Sequence, residues 1–264
     1  MTHFMPSTTA AWARWAALSP SDCGGVGGCS GAFAPAPMPA PIVSPDCGLC
    51  PRLAQYRAEN KVQYPDFFNA PVPSFGDSAG EVLIVGLAPG VKGANRTGRP
   101  FTGDFAGELL YQTLLKYGFA KGTFKADPKD GLMLVNCRLT NAVRCVPPQN
   151  KPVGEEINQC RPFLRGEIDA MPRLRAILCL GKISHDSTLR ALGARLAAHP
   201  FAHNVRHDVT LAPIKGVGKP LGGPNGRKVA VFNSYHCSRY NTNTGRLTEK
   251  MFEDVFESVT AFLA

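Results

Sequence analysis

Glu81-Val82-Leu83-Ile84-Val85-Gly86-Leu87-Ala88, followed at once by Pro89-Gly90, decides the fold. A short β-branched apolar run that stops at a turn dipeptide reads as a strand buried on both faces. Strands of that kind belong to parallel sheets covered by helices on both sides. Outward from it the pattern repeats. Leu132–Cys137, Arg175–Leu180 and Lys228–Ser234 read as further buried strands. Between and after them, Phe105–Tyr117, Gly154–Ile168, Ser184 to about Ala197 and Glu249–Leu263 carry helical spacing, with Asp104 placed as an N-cap. The expected fold is α/β: a three-layer sandwich with a central, four-stranded, mostly parallel sheet flanked by helices. Segment 199–227 reads as an irregular excursion or hairpin.

In such sheets ligands bind beyond the carboxyl ends of the strands. Polar, glycine-rich segments stand at three of those ends, at 86–104, 138–150 and 235–246. Three loops from distant parts of the chain are therefore expected to meet at one edge.

Composition bounds the partners. The 264 residues carry 29 Lys plus Arg against 20 Asp plus Glu, a formal charge of +9, which favours a polyanionic partner such as nucleic acid. No run reaches about 18 apolar residues, so no membrane span is expected. The start, Met1-Thr2-His3-Phe4, has no basic segment leading into an apolar one, which makes the cytoplasm the default. Residues 1–44, with Ala34-Pro35-Ala36-Pro37-Met38-Pro39-Ala40-Pro41, read as a flexible tail, with a short helix conceivable over Ala10–Leu18 around Trp12 and Trp15. The folded domain is expected over 45–264, as a monomer.

Nine cysteines are many for a reducing compartment, and an odd number argues against a pure disulfide framework. Cys47 and Cys50 form a C-x-x-C with Pro51 directly after it; Cys145 and Cys160 supply a distant pair. Four thiolates so arranged suit a [4Fe–4S] cluster or zinc. No strand–C-x-x-C–helix context is apparent, so a thioredoxin-like reading drops. Cys23 and Cys29 sit in the glycine-rich tail, Cys137 and Cys179 read as buried small apolar residues, and Cys237 follows a histidine in a loop.

Three segments carry a resemblance. They are Gly86-Leu87-Ala88-Pro89-Gly90 with Asn95-Arg96-Thr97-Gly98-Arg99-Pro100-Phe101-Thr102-Gly103-Asp104, then Thr140–Asn150, then His236–Thr248. In this order they resemble the motifs of the family 5 (type b) uracil-DNA glycosylases, from about Cys47 to the C-terminus. The resemblance implies a [4Fe–4S] cluster on Cys47, Cys50, Cys145 and Cys160. It also implies hydrolysis of the N-glycosidic bond of uracil in DNA, with hypoxanthine or other deaminated bases tolerated, leaving an abasic site for base-excision repair. Two positions depart from related patterns: Leu87 stands where a carboxylate is usual, and Cys237 and Arg239 replace prolines.

Breaking the bond requires access to the base, a stabilised leaving anion and a water at the sugar carbon. The base must be flipped out of the duplex. His236 is expected to donate a hydrogen bond to the uracil oxygen that gains charge. Phe101 is the candidate stacking platform. Asn141 offers an amide to the base edge, with Asn150 as a similar contributor to catalysis and Gly86, Leu87 and Ala88 around the base. Asp104 is the carboxylate expected to position water, in competition with its capping role. Arg96, Arg99, Arg239, Tyr240, Asn241 and Arg246 are the expected DNA contacts. The rival readings are a noncatalytic, metal-stabilised nucleic-acid-binding protein and an Fe–S redox sensor.

Overall fold

A computed structural model describes residues 42–211 and 226–264, all within the unit formed by residues 37–264. The expected tail, its Ala10–Leu18 helix with Trp12 and Trp15, and Cys23 and Cys29 lie outside the described residues.

The sheet has six strands in the order β1 (Phe75–Gly76), β5 (Cys137–Asn141), β2 (Val82–Gly86), β6 (Ala176–Leu180), β8 (Lys228–Ser234) and β7 (Arg206–Thr210). The inner four run parallel, as expected. The count of four is corrected to six because each edge gains a short antiparallel strand. β7 comes from the 199–227 excursion, and its half-exposed pattern hides it from a search for buried runs.

Alternation along the buried strands sorts side chains into two cores. Val82, Ile84, Leu178 and Phe232 face α3 (Phe105–Lys116) and α7 (Glu249–Leu263), where Leu110, Leu114, Phe252 and Phe256 wait. Leu83, Val85, Ile177 and Val231 face α4 (Gly154–Asp169) and α5 (Lys182–Leu192), packing on Leu164, Ile168 and Leu189. Both faces of the sheet are thus covered, giving three layers.

Two elements depart from expectation. The Leu132–Cys137 strand divides: Met133–Leu134 (β4) pairs with Ala120–Lys121 (β3) in a separate ladder, and the inner strand begins only at Cys137. Asn136, with φ of 54°, breaks the run between them. A helix also appears where none was expected. α1 (Pro51–Gln63) begins directly after the C-x-x-C, with Pro51 at its first turn, where a missing N–H does no harm.

Candidate active site

The three strand-end loops do converge. Leu87, Ala88 and Gly90 from the first, Gln149 and Asn150 from the second, and His236, Ser238 and Arg239 from the third line one cavity of about 640 Å³. Asp104, Phe105 and Ala106 at the start of α3 and Tyr56 of α1 complete it.

At its base, Gly86 ends β2 and leaves room that no other residue would. A Cβ there would fall 2.4 Å from the Phe101 ring and 2.4 Å from Asn141 Oδ1, so these two side chains meet over Gly86. Phe101 and Asn141 are almost fully buried, at 6% and 4% exposure. Phe101 holds its place with φ of 54°, unusual for an aromatic residue. The His236 ring lies 6.4 Å from the Phe101 ring, tilted by 31°.

Among the described residues, neither the His236 ring nor the Asn141 amide has a hydrogen-bond partner. Side chains left so near a buried base are poised for an external ligand. The His236 ring is half-buried between the two cavities it lines, and the protein around it strips away most of its water. That desolvation lowers its pKa to about 4, so the imidazole is neutral at pH 7. A neutral imidazole retains one N–H to donate.

Asp104 caps α3 as expected, accepting from the Gly107 N–H at 3.2 Å. Its carboxylate packs on Gly93, where a Cβ would sit 2.4 Å from Oδ2. A Cβ at Gly90 would lie 3.7 Å from both Asp104 Oδ2 and Asn150 Oδ1, so the two side chains approach one spot on the loop. Burial raises the Asp104 pKa, and the helix N–H donors from Gly107 and Ala106 offset this only partly. The capping role therefore leaves it more basic than an ordinary aspartate.

The expected DNA contacts separate into two groups. Arg96 and Arg239 are exposed, with Arg239 held 5.2 Å over Phe105, and Tyr240 is 71% exposed. Arg246 is exposed and lies over the Tyr235 ring in a neighbouring cavity of about 250 Å³. Arg99 is a correction. It is buried, its two Nη atoms each 2.8 Å from the Asp130 carboxylate, so it braces the loop and reaches no phosphate. Asn241 is likewise engaged, donating to the His236 carbonyl at 2.8 Å and orienting that segment from within. Sequence reasoning missed Tyr56, Lys92 and Gln149 on the cavity wall; Tyr56 went unseen because α1 did.

The four expected ligand cysteines gather beneath α1 and α4 in one pocket closed by Leu49, Leu53, Arg57 and Phe163. Burial pushes the Cys145 thiol up to about 12 and Cys50 up to about 11, and raises Cys160. Two N–H donors point at sulfur: Arg57 Nη1 at Cys145 Sγ, 2.8 Å, and the Arg144 amide at Cys160 Sγ, 3.3 Å. Among the described residues no three His, Cys, Asp or Glu side chains are close enough to share a single ion. A helix does follow the C-x-x-C, contrary to expectation, though no strand precedes it among the described residues. Cys137, Cys179 and Cys237 are fully buried in the cores and take no part.

The motif-bearing loops meet at one cavity beyond the carboxyl ends of the parallel strands, where an α/β enzyme binds its substrate. The family model of the Uracil DNA glycosylase superfamily matches residues 73–260, and the chain belongs to that superfamily. Within it, the chain falls with the type-5 branch. It is 41% identical to the type-5 uracil-DNA glycosylase of Thermus thermophilus over 214 residues, 79% of this chain and 90% of that one. It is 36% identical to the type-5 protein of Pyrobaculum aerophilum over 220 residues, 82% and 88% of the two chains. Against the type-5 protein of Mycobacterium tuberculosis it is 37% identical over 218 residues, 80% and 75%.

Proposed function

We propose that the cavity receives a uracil swung out of DNA and that the residues at its base cut the glycosidic bond. The enzyme is a uracil-DNA glycosylase; what is proposed is how its own residues do the work. The observation that carries this reading is the pair of unpartnered polar groups, the His236 ring and the Asn141 amide, grouped with the Phe101 ring beside Gly86.

Uracil stacks on Phe101, and the Asn141 amide pairs with its polar edge. As the bond from C1′ to N1 breaks, both electrons leave with the base, and charge grows on its carbonyl oxygen. The neutral His236 donates its N–H there. Such a donor accelerates the step because it is worth more to the anion than to the intact base. The sugar becomes cationic. Asp104 supports that charge and takes a proton from the water that adds at C1′, with Asn150 beside it. Products are free base and an abasic sugar. Leu87 brings no carboxylate, so the water-positioning role rests on Asp104, and the less polar wall admits hypoxanthine as well as uracil.

Arg96, Arg239 and Arg246 hold phosphates around the mouth. Tyr240, 71% exposed, fills the gap left in the duplex. Arg239 is occupied over Phe105 and Asn241 is tied to His236, which leaves Tyr240 free for this part.

Cys47, Cys50, Cys145 and Cys160 would hold a [4Fe–4S] cluster. An all-thiol set with apolar walls and N–H donors toward sulfur fits that group, and a four-iron core spaces its cysteines farther apart than one ion does. When bound, it supplies a cross-link between the start of α1 and the 145–160 segment. Among the described residues no helix is long and apolar enough to cross a membrane.

The test is incubation with an oligonucleotide containing one uracil, then alkaline cleavage at abasic sites. Wild type should cut, while His236→Ala and Asp104→Asn should be strongly impaired. Absence of uracil release by wild type, or full activity in both variants, would overturn the reading. A matched hypoxanthine substrate left intact would overturn the broad pocket alone.

A further inference from the structure

Arg57 lies on α1, one turn beyond Leu53, and is only 7% exposed. Its Nη1 donates to Cys145 Sγ and its Nη2 to the Cys47 carbonyl, both at 2.8 Å. Among the described residues no carboxylate pairs with it. Two acids of α4 pair with other arginines, Glu156 with Arg52 and Glu167 with Arg138 and Arg144. A guanidinium keeps its charge at any pH a protein survives, so it cannot escape burial by losing a proton. A buried cation facing only a neutral thiol and a carbonyl would be poorly compensated, and buried charges are ordinarily paired.

The missing anion is the metal assembly. Four thiolates around a four-iron, four-sulfide core carry net negative charge, and Cys145 and Cys47 are two of the four. We infer that Arg57 is the built-in counter-ion of the cluster: it holds the anionic assembly in the protein and raises its reduction potential. The inference rests on the cluster reading above. A fixed cation and a hydrogen bond to a ligand sulfur both favour the state carrying one more electron. The planar fork also explains why the residue is arginine. One arm reaches the 145 ligand and the other the 47 backbone, so a single side chain joins two ligands brought from distant segments. Lysine would bring the charge without spanning both.

The experiment uses the full chain purified without oxygen, as wild type, Arg57→Gln and Arg57→Lys. Iron and sulfide per chain, the rate of visible absorbance loss under chelator, the midpoint potential and the melting temperature are measured on each. Partners just outside a metal's ligand shell typically contribute about 10–100-fold to metal retention. Arg57→Gln should therefore lose the cluster about 10–100-fold faster, and its potential should fall below that of wild type. Arg57→Lys should keep the potential closer to wild type yet bleach faster. Unchanged potential and bleaching in Arg57→Gln would overturn the proposal. So would a lowered melting temperature with no change in potential, which would make Arg57 a structural tie alone. If Arg57→Gln does not accumulate as soluble protein, the lysine variant decides, and bleaching as slow as wild type overturns the idea. Wild type that holds zinc, and so shows no redox wave at all, would refute the cluster reading and this proposal with it.

Discussion

Replacing Gly86 with alanine adds one methyl group at the point where the Phe101 ring and the Asn141 amide meet. The new Cβ would stand 2.4 Å from each. Carbon atoms rest about 3.5–4.0 Å apart at contact, so the ring must retreat by about 1 Å. Gly86 is not among the positive-φ residues, so alanine meets no backbone strain there and even gains from a stiffer unfolded chain. Overpacking destabilises by about 1–3 kcal/mol, partly offset by that gain. Misplacing a positioning group by 1 Å costs on the order of 100-fold in rate. That is about 2.7 kcal/mol at the transition state. Gly86→Ala should thus melt only a few degrees below wild type, while kcat/KM on a uracil oligonucleotide drops about 100-fold. Gly154→Ala is the control, since a Cβ at Gly154 meets nothing within 4 Å, and it should leave both quantities near wild type. A Gly86→Ala enzyme with wild-type kcat/KM would show that the base does not use the Phe101–Asn141 junction.

Three further outcomes follow from the same geometry. The acid limb of the kcat/KM profile should lie above the ordinary aspartate range, because burial raises the Asp104 pKa, and Asp104→Asn should abolish that limb along with most activity; an unshifted limb would reassign the water-positioning group. Fold stability should fall as pH drops from about 6.5 toward 4, because the unfolded state protonates His236 first and the folded state resists it. The contribution is at most about 3 kcal/mol, present above 6.5 and lost on acidification; His236→Gln should flatten this part of a denaturant-versus-pH series. Tyr240→Ala should lower activity on duplex far more than on single-stranded uracil DNA, since only a duplex leaves a gap to fill, and equal losses on both would refute the wedge role.

Much of this arrangement was legible in the chain. Val82–Gly86, Ala176–Leu180 and Lys228–Ser234 announce themselves because buried parallel strands are uninterrupted apolar runs. Asp104 marks the start of α3 by its capping chemistry. The fourth inner strand misled because Cys137-Arg138-Leu139-Thr140-Asn141 is half polar; Arg138 finds Glu167, an acid on α4 that no local window contains. The overextended 184–197 helix shows a signal passed over, since Gly193 in the left-handed region ends α5. The same limit separates the arginines. Arg96 and Arg99 look alike in sequence, yet only Arg99 has Asp130 within reach to draw it inside. Loop motifs reveal which residues gather at a site; pairings across the fold decide which face the solvent.

The most direct measurement is a crystal structure of the protein with a duplex bearing an abasic site and with free uracil. Uracil should lie on the Phe101 ring, with the Asn141 amide and the His236 N–H within hydrogen-bond distance of its oxygens. Uracil bound in the neighbouring cavity between Arg246 and Lys182, away from Phe101 and Asn141, would contradict the proposed chemistry.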